Sequence, residues 1–241
     1  MSIDNVLSFT FRDRTFKIFS DPASEQMCQQ YICRGETWEP WLTEYILDNL
    51  RPDTVVIDAG ASVGWFTLLA AAHCPHGRII AFEPNSRRHG MLAHSAAVNG
   101  FTNVTALRIA LSDEAKVTTI GGRKEDQMGE PGQEIHTIRL DEILAFLGVD
   151  QVDLVKMDIE GAEVRALHGM EQTLRAPNIK VAMEVHPGLM ASYGDTEDDL
   201  YALMEGHGFK RLSMKDEPPH SSLFDISLYK IFEKHIDDPD A

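Results

Sequence analysis

Two acidic residues stand at the ends of short apolar runs, where each could contact a ligand. Asp58 closes the run 55–58 and precedes a turn with Gly60 and Gly64, while Glu83 closes the run 79–83. Glycine lets the backbone turn sharply and approach a ligand closely. In a strand–turn–helix–strand unit, a carboxylate at the end of the second strand accepts ribose hydroxyls. The pattern therefore predicts a unit that binds an adenosine-containing cofactor.

The spacing within this turn distinguishes two kinds of cofactor. A dinucleotide site favours the pattern Gly-x-Gly-x-x-Gly, whereas this turn has Gly60 and Gly64 with Ser62 between them. The fixed charge of Asp58 disfavours a pyrophosphate but suits the sulfonium and ammonium groups of S-adenosylmethionine (SAM). We therefore predict SAM. An NAD-dependent oxidoreductase, a module that binds SAM without turnover and a unit that binds no ligand remain alternatives.

A second polar group follows two later predicted strands. Asp158 and Glu160 follow the run 152–157, and Glu184 and His186 end the run 179–186. Residues two apart on a strand share a face, and the carboxyl ends of adjacent parallel strands meet where ligands bind. We therefore expect these side chains to converge. Lys156 is charged within an apolar strand, so we expect it to pair with one of the acids.

Methyl transfer from SAM to a hydroxyl requires removal of the hydroxyl proton, by a side chain or with help from a metal. Histidine has a pKa suited to a general base near neutral pH. The same carboxylates and imidazole could hold a divalent cation, although we favour the metal-free interpretation. The candidate catalytic residues are Asp158, Glu160, Glu184 and His186.

Alternating strand-like and helix-like segments predict a doubly wound α/β fold with a mostly parallel sheet of seven strands. The nearly continuous apolar runs are typical of parallel strands covered on both faces. The last two strands lack a helix between them, which favours an antiparallel hairpin at the sheet edge. The predicted strands lie at 54–58, 78–83, 103–109, 152–158, 179–186, 209–214 and 226–232, and the helices at 63–73, 86–98, 140–147, 162–175 and 195–206.

We expect three parts along the chain. Residues 1–50 form an N-terminal extension, with a β-hairpin over 6–19 and two helices that break at Gly35. Residues 51–234 form the cofactor-binding domain, and residues 235–241 form an acidic tail. A long loop at 121–133 is either exposed surface or a flap over the active site.

Composition limits the partners. The 241 residues include 38 acidic and 22 basic ones, for a net charge of −16. This charge repels nucleic acid and anionic membranes, so we expect a small-molecule acceptor and neither of those partners. The N-terminus lacks a signal-peptide pattern, and the longest apolar run is too short to span a membrane, so we expect a cytoplasmic protein. The sequence does not indicate an oligomeric state.

Several motifs together resemble the FkbM-type SAM-dependent methyltransferases. They are DAGASVG at 58–64, FEP at 82–84, ALS at 110–112 and, most specific, VDLVKMDIEGAE at 152–163. The resemblance implies a Rossmann-like enzyme that methylates hydroxyls of sugars, polyketides or other small secondary metabolites. Ser62 is a departure, because the family often has asparagine there. The cofactor-binding residues that we expect are Asp58, Gly60, Ser62, Gly64, Glu83, Pro84 and, near the adenine, Ser112.

Overall fold

The strands of the computed structural model, which describes residues 6–20, 26–120, 132–212 and 229–234, form three sheets. In chain order the strands are β1 (Val6–Phe11), β2 (Arg14–Phe19), β3 (Val55–Ala59), β4 (Arg78–Phe82), β5 (Val104–Leu107), β6 (Ala110–Leu111), β7 (Lys116–Ile120), β8 (Gln133–Ile138), β9 (Leu154–Met157), β10 (Lys180–Glu184), β11 (Phe209–Arg211) and β12 (Tyr229–Lys234). The largest sheet has the order β11-β12-β10-β9-β3-β4-β5. Its middle strands are parallel, and β12 pairs antiparallel with both β10 and β11. The predicted seven-stranded, mostly parallel sheet is therefore confirmed.

The helices occupy the connections that the sequence pattern predicts, with two differences: one helix ends early, and a short helix at Pro187–Met190 was not predicted. They are α1 (Gln26–Arg34), α2 (Pro40–Asp48), α3 (Trp65–His73), α4 (Ser86–Val98), α5 (Leu140–Leu147), α6 (Glu163–His168), α7 (Pro187–Met190) and α8 (Glu197–Gly206). The predicted helix over 162–175 ends early, because α6 stops at His168 and only a 3-10 turn, Thr173–Arg175, follows it. Gly169 lies so close to the Ser112 carbonyl that a Cβ there would collide with it.

Both faces of the central sheet are covered by apolar side chains. Neighbouring residues on β3 point to opposite sides, so that Val56 belongs to the core beneath α3 and Ile57 to the core beneath α5 and α6. On β4, Ile79 likewise belongs to the core beneath α3 and Ile80 to the core beneath α5 and α6. This two-sided burial is the reason that the strands read as continuous apolar runs.

The N-terminal hairpin and helices pack on the α3 side of the sheet. The β1–β2 hairpin is confirmed, and Phe9 on β1 stacks on Trp65 with ring centroids 4.4 Å apart. The predicted break between α1 and α2 is confirmed at Gly35, whose φ is 70°. Helix α2 contributes Leu42 and Ile46 to the same core. The extension thus lies against the start of α3, which follows the glycine turn.

A smaller sheet, ordered β6-β8-β7, lies between β5 and α5 in the chain. Its strands β7 and β8 flank the long loop and pair antiparallel. Residues 121–131 of that loop lie outside the described residues, as does the acidic tail at 235–241. Among the helices that the structure describes, none is long and apolar enough to cross a membrane.

Candidate active site

The turn between β3 and α3 borders a pocket at the carboxyl end of the central sheet. Gly60 and Gly64 adopt left-handed φ values of 75° and 104°. A Cβ at Gly60 would collide with the Asp158 carbonyl oxygen, and one at Gly64 would lie 2.7 Å from Leu92 Cδ1. Both positions therefore require glycine. The pocket is lined by Trp38, Gly60, Ala61, Ser62, Val63, Trp65, Phe66, Glu83, Arg88, Lys156, Asp158 and Glu160.

Glu83 follows β4 and is held in a fixed orientation on the pocket wall. Its Oε2 accepts a hydrogen bond from the Ser62 N–H at 2.9 Å, and its Oε1 accepts one from the Asn85 N–H at 2.8 Å. A carboxylate offers about four acceptor positions, so these two bonds leave it able to accept others. The geometry suits a carboxylate that receives a pair of ligand hydroxyls.

Ser62 reaches this position through an unusual backbone conformation. Its φ is 49°, in the left-handed region that non-glycine residues rarely adopt. Asparagine enters this region more readily than most residues do, so serine here is held by its surroundings. The backbone N–H of Ser62, rather than its hydroxyl, makes the bond to Glu83.

Asp58 lies beneath the pocket rather than on its wall. It is 1% exposed, its Oδ2 accepts a 2.5 Å hydrogen bond from the Thr67 hydroxyl, and its Oδ1 is 3.7 Å from Lys156 Nζ. Lys156 Nζ is also 3.7 Å from Asp158 Oδ2 and donates to the Gly60 carbonyl at 3.1 Å. The expected pairing of Lys156 with a neighbouring acid is therefore confirmed. Burial opposes the charge on Lys156, but Asp158 and Asp58 outweigh it and raise its pKa.

The structure brings the four candidate catalytic residues together beside this pocket. His186 Nε2 is 3.5 Å from Glu184 Oε1 and 3.8 Å from Glu160 Oε2. Among the described residues, one group of side chains could offer three or more ligand atoms to a metal ion, all within 4.8 Å of one another. That group is Asp158, Glu184 and His186.

Nearby carboxylates control the charge of His186. Burial alone would lower the pKa of the imidazole, but Glu163 and Glu184, with Asp158 and Glu160 at longer range, raise it to about 11. The ring is therefore protonated at pH 7, and it does not have the near-neutral pKa that the sequence suggested. The Glu160 side chain is 69% exposed, so desolvation acts on only part of it. This desolvation and the negative charge of Asp158 raise its pKa.

Glu163 is fully buried at the start of α6. Its Oε1 accepts a 3.0 Å hydrogen bond from the Gly161 N–H and lies 3.6 Å from His186 Nδ1. Glu160 and Gly161, which precede the helix, have φ values of 56° and 95°. Glu163 thus supports the turn that carries Glu160 and also faces the imidazole.

Four expected cofactor-binding residues, Asp58, Gly64, Pro84 and Ser112, are not among the pocket-lining residues. Ser112 is buried, and its hydroxyl donates to Asp113 Oδ1 at 2.9 Å. A contact between Ser112 and an adenine therefore stays a prediction.

Sequence reasoning missed Glu39 and Tyr229. Glu39 is 5% exposed and immediately precedes α2. Burial, followed by the negative charge of Asp158, raises its pKa to about 8, while Lys156 and a hydrogen bond with Tyr229 act in the opposite direction. A charged residue before a proline was the only signal in the sequence, and it did not indicate burial.

The fold is Rossmann-like and is shared with known methyltransferases. A crystal structure of methyltransferase FkbM from Methylobacillus flagellatus KT has a similar fold, with a TM-score of 0.54 and 18% identity. The match covers 89% of this chain and 55% of that chain.

Residues 58–211 match the Methyltransferase FkbM domain, so the chain belongs to the FkbM methyltransferase family. It is 29% identical over 209 residues to 31-O-demethyl-FK506 methyltransferase FkbM from Streptomyces tacrolimicus, covering 70% of this chain and 77% of that protein. It is 23% identical to the antimetabolite synthetase AmbE from Pseudomonas aeruginosa, covering 67% of this chain. The chain spans only 10% of AmbE.

Proposed function

We propose that this methyltransferase uses SAM to methylate a hydroxyl group of a small molecule, such as a sugar or a polyketide. One observation carries the proposal. Glu160 lines the same pocket as Glu83, and its carboxylate lies 3.8 Å from His186. The pocket that would hold the cofactor therefore continues into a group of side chains that can accept or donate a proton. The relative from Streptomyces tacrolimicus is also named for methylation at an oxygen.

The cofactor would bind along the glycine turn. Glu83 would accept the ribose hydroxyls, since its carboxylate is already oriented by the Ser62 and Asn85 amides. Gly60 and Ser62 line the pocket, and the absence of a side chain at Gly60 lets the ligand approach the backbone. Asp58 would affect the cofactor only indirectly. It contacts Lys156 and Thr67 beneath the pocket and would hold these two side chains in position.

In the proposed reaction, the acceptor oxygen attacks the sulfonium methyl carbon as the carbon–sulfur bond breaks, releasing S-adenosylhomocysteine. The acceptor hydroxyl transfers its proton to the Glu160 carboxylate, so that charge and atoms balance. The raised pKa of Glu160 suits it to this role. His186, as an imidazolium, would orient Glu160 and Glu184. Alignment of the two reactants can supply roughly 7–11 kcal/mol of the barrier reduction.

A divalent cation is the less favoured alternative for the same side chains. Asp158, Glu184 and His186 offer suitable ligand atoms, and a metal could lower the pKa of the acceptor hydroxyl. A metal requires neutral imidazole, whereas the surrounding carboxylates hold the proton on His186. We therefore propose transfer without a metal.

The acceptor class follows from the charge of the protein. A net charge of −16 disfavours a nucleic acid substrate, and the pocket borders polar side chains suited to hydroxyls. An oxidoreductase would require NAD in the pocket. A dinucleotide site favours Gly-x-Gly-x-x-Gly, whereas this turn has Gly60-x-x-x-Gly64, so the spacing disfavours NAD. A module without turnover would bind SAM in the same way but leave the polar cluster without a role.

The test combines binding with transfer. Calorimetry should detect SAM and S-adenosylhomocysteine but not NAD. In a panel of hydroxylated sugars, macrolides, amines and RNA, methyl-labelled SAM should then transfer its label to sugars or macrolides, in a product with the stability of an ether. Binding of NAD alone would contradict the cofactor assignment. Label found only on amine or RNA members of the panel would contradict the acceptor class, and tight binding with no transfer to any member would favour the non-catalytic module.

A further inference from the structure

The segment before α2 contributes a buried carboxylate that the proposed chemistry does not yet use. Glu39 is 5% exposed, and within the described residues its Oε2 has no hydrogen-bond partner. The charges that act on it come from Asp158, Lys156 and Glu184, and Tyr229 shares a hydrogen bond with it. Glu39 is not itself among the pocket-lining residues, but it adjoins Trp38, which is, and the charges that act on it belong to residues at the ends of β9 and β10. A buried carboxylate oxygen without a partner is costly unless a ligand completes it.

The backbone at Glu39 is also held in an unfavourable conformation. Its φ is 41° and its ψ is 64°, although the residue before a proline ordinarily adopts an extended conformation. Non-glycine residues with positive φ in the described part of the chain are Arg12, Glu39, Ser62 and Glu160. Two of the others, Ser62 and Glu160, line the pocket. Such conformations are concentrated at ligand sites, where the surroundings impose them.

A buried chain of hydrogen bonds fastens this segment to the glycine turn. Trp65, the first residue of α3, donates from Nε1 to the Thr43 hydroxyl at 3.0 Å. Thr43 in turn donates to the Trp38 carbonyl at 2.7 Å. Trp38 and Trp65 both line the pocket. The position of Glu39 is therefore set by the same elements that form the cofactor pocket.

The other acids near this end of the pocket already face protein cations or donors. Asp58 accepts from Thr67 and faces Lys156, and Asp158 also faces Lys156. SAM carries, besides its sulfonium, an α-ammonium group that needs an acceptor. We propose that Glu39 binds the α-ammonium group of SAM and closes the cofactor site from the N-terminal extension. This inference rests on the proposed use of SAM.

The test compares two ligands that differ at the amino-acid end. S-adenosylhomocysteine carries the α-ammonium, whereas 5′-methylthioadenosine has the same adenosine and sulfur without it. Calorimetry would measure both ligands with the wild-type protein, with Glu39→Gln and with Glu36→Gln, an exposed acid of the same segment. We expect Glu39→Gln to weaken the binding of S-adenosylhomocysteine about tenfold or more, as for the loss of a charged hydrogen bond. Binding of 5′-methylthioadenosine should change less than about twofold, and Glu36→Gln should change neither.

Equal losses for both ligands, or unchanged affinity for S-adenosylhomocysteine in a folded Glu39→Gln protein, would overturn the inference. If Glu39→Gln does not fold, Glu39→Asp keeps a carboxyl group on a side chain that is one methylene shorter. This variant should show the same selective loss of affinity for S-adenosylhomocysteine. A wild-type protein that binds neither compound would contradict the proposed function itself, whereas wild-type binding without a selective loss in the variants contradicts only the role of Glu39.

Discussion

Glu83 and Glu39 are buried carboxylates on two sides of one site, and their surroundings differ. Glu83 is 3% exposed, and each of its oxygens accepts a hydrogen bond from a backbone amide. Glu39 is 5% exposed, has an oxygen without a partner among the described residues, and lies among other acids. The ribose side of the site is thus organised before a ligand arrives, whereas the transfer side holds negative charge that a cationic ligand would balance.

Positive φ values occur on both sides, at Ser62 beside Glu83 and at Glu39 and Glu160, so the two sides differ in their charges. The transfer side includes a histidine whose pKa is raised to about 11 by the acids around it. Strained backbone and shifted pKa values are typical of catalytic sites. The comparison teaches that the adenosine is bound on one side of the pocket, while the amino-acid end of the cofactor and the transfer chemistry lie on the other. Substitutions on the two sides should therefore change different measurements.

The largest effect is expected for Glu160→Gln. Loss of the proposed proton acceptor should lower the turnover of label from methyl-labelled SAM by roughly 10²-fold or more. Affinity for S-adenosylhomocysteine should stay within about twofold, because the group acts in the transition state. Glu142→Gln, an exposed acid on α5, is the control and should keep full turnover. A Glu160→Gln protein with more than about half of the wild-type turnover would contradict the assignment.

The next effect in size is expected on the ribose side. Glu83→Ala removes the acceptor of the ribose hydroxyls and leaves the Ser62 and Asn85 amides without their partner. Affinity for S-adenosylhomocysteine should fall by about 1–3 kcal/mol, measured by calorimetry. Because the adenosine part is affected, 5′-methylthioadenosine should lose affinity equally. Unchanged affinity for both ligands would remove Glu83 from the cofactor site.

A smaller effect concerns stability and pH. The pKa of Glu39 is raised from 4.5 to about 8 in the folded protein, so the folded state keeps a proton there that the unfolded chain releases. The stability due to this proton is fully present below pH 4.5 and is lost as the pH rises through 8. Glu39→Gln should therefore unfold at a higher urea concentration than the wild type at pH 8. The difference should nearly vanish at pH 4.5, and a pH-independent difference would contradict the raised pKa.

The smallest expected effect is that of metal removal. If the proton on His186 is retained, exhaustive treatment with EDTA should leave both turnover and S-adenosylhomocysteine affinity unchanged. Loss of turnover that added Mg²⁺ or Mn²⁺ restores would instead assign a cation to Asp158, Glu184 and His186. Calorimetry on the treated protein would separate an effect on transfer from one on cofactor binding.

The two sides of the site also differ in how well the sequence predicts them. The glycine turn and Glu83 lie within one contiguous strand–turn–helix–strand pattern, and the convergence of Asp158, Glu184 and their neighbours follows from the geometry of parallel strands. Glu39 could not be predicted, because it reaches the site through the packing of α2 on Trp65, a contact between distant parts of the chain. The pKa of His186 depends on the carboxylates gathered around it in three dimensions.

Local sequence also did not indicate where close backbone contacts change an element. Helix α6 ends at His168, and Gly169 follows it so close to the Ser112 carbonyl that a Cβ would collide there, a contact between distant parts of the chain that the pattern over 162–175 does not show. The left-handed conformation of Ser62 is another such case, since serine does not ordinarily favour it.

A crystal structure of the protein with bound S-adenosylhomocysteine would test the division of the site most directly. We predict that both ribose hydroxyls will lie about 2.5–3.0 Å from the Glu83 carboxylate oxygens, with the sulfur directed toward the side of Glu160 and His186. An open path should lead from the sulfur to Glu160 for the acceptor. A ribose bound away from Glu83, or a sulfur separated from Glu160 by the protein backbone, would contradict the account.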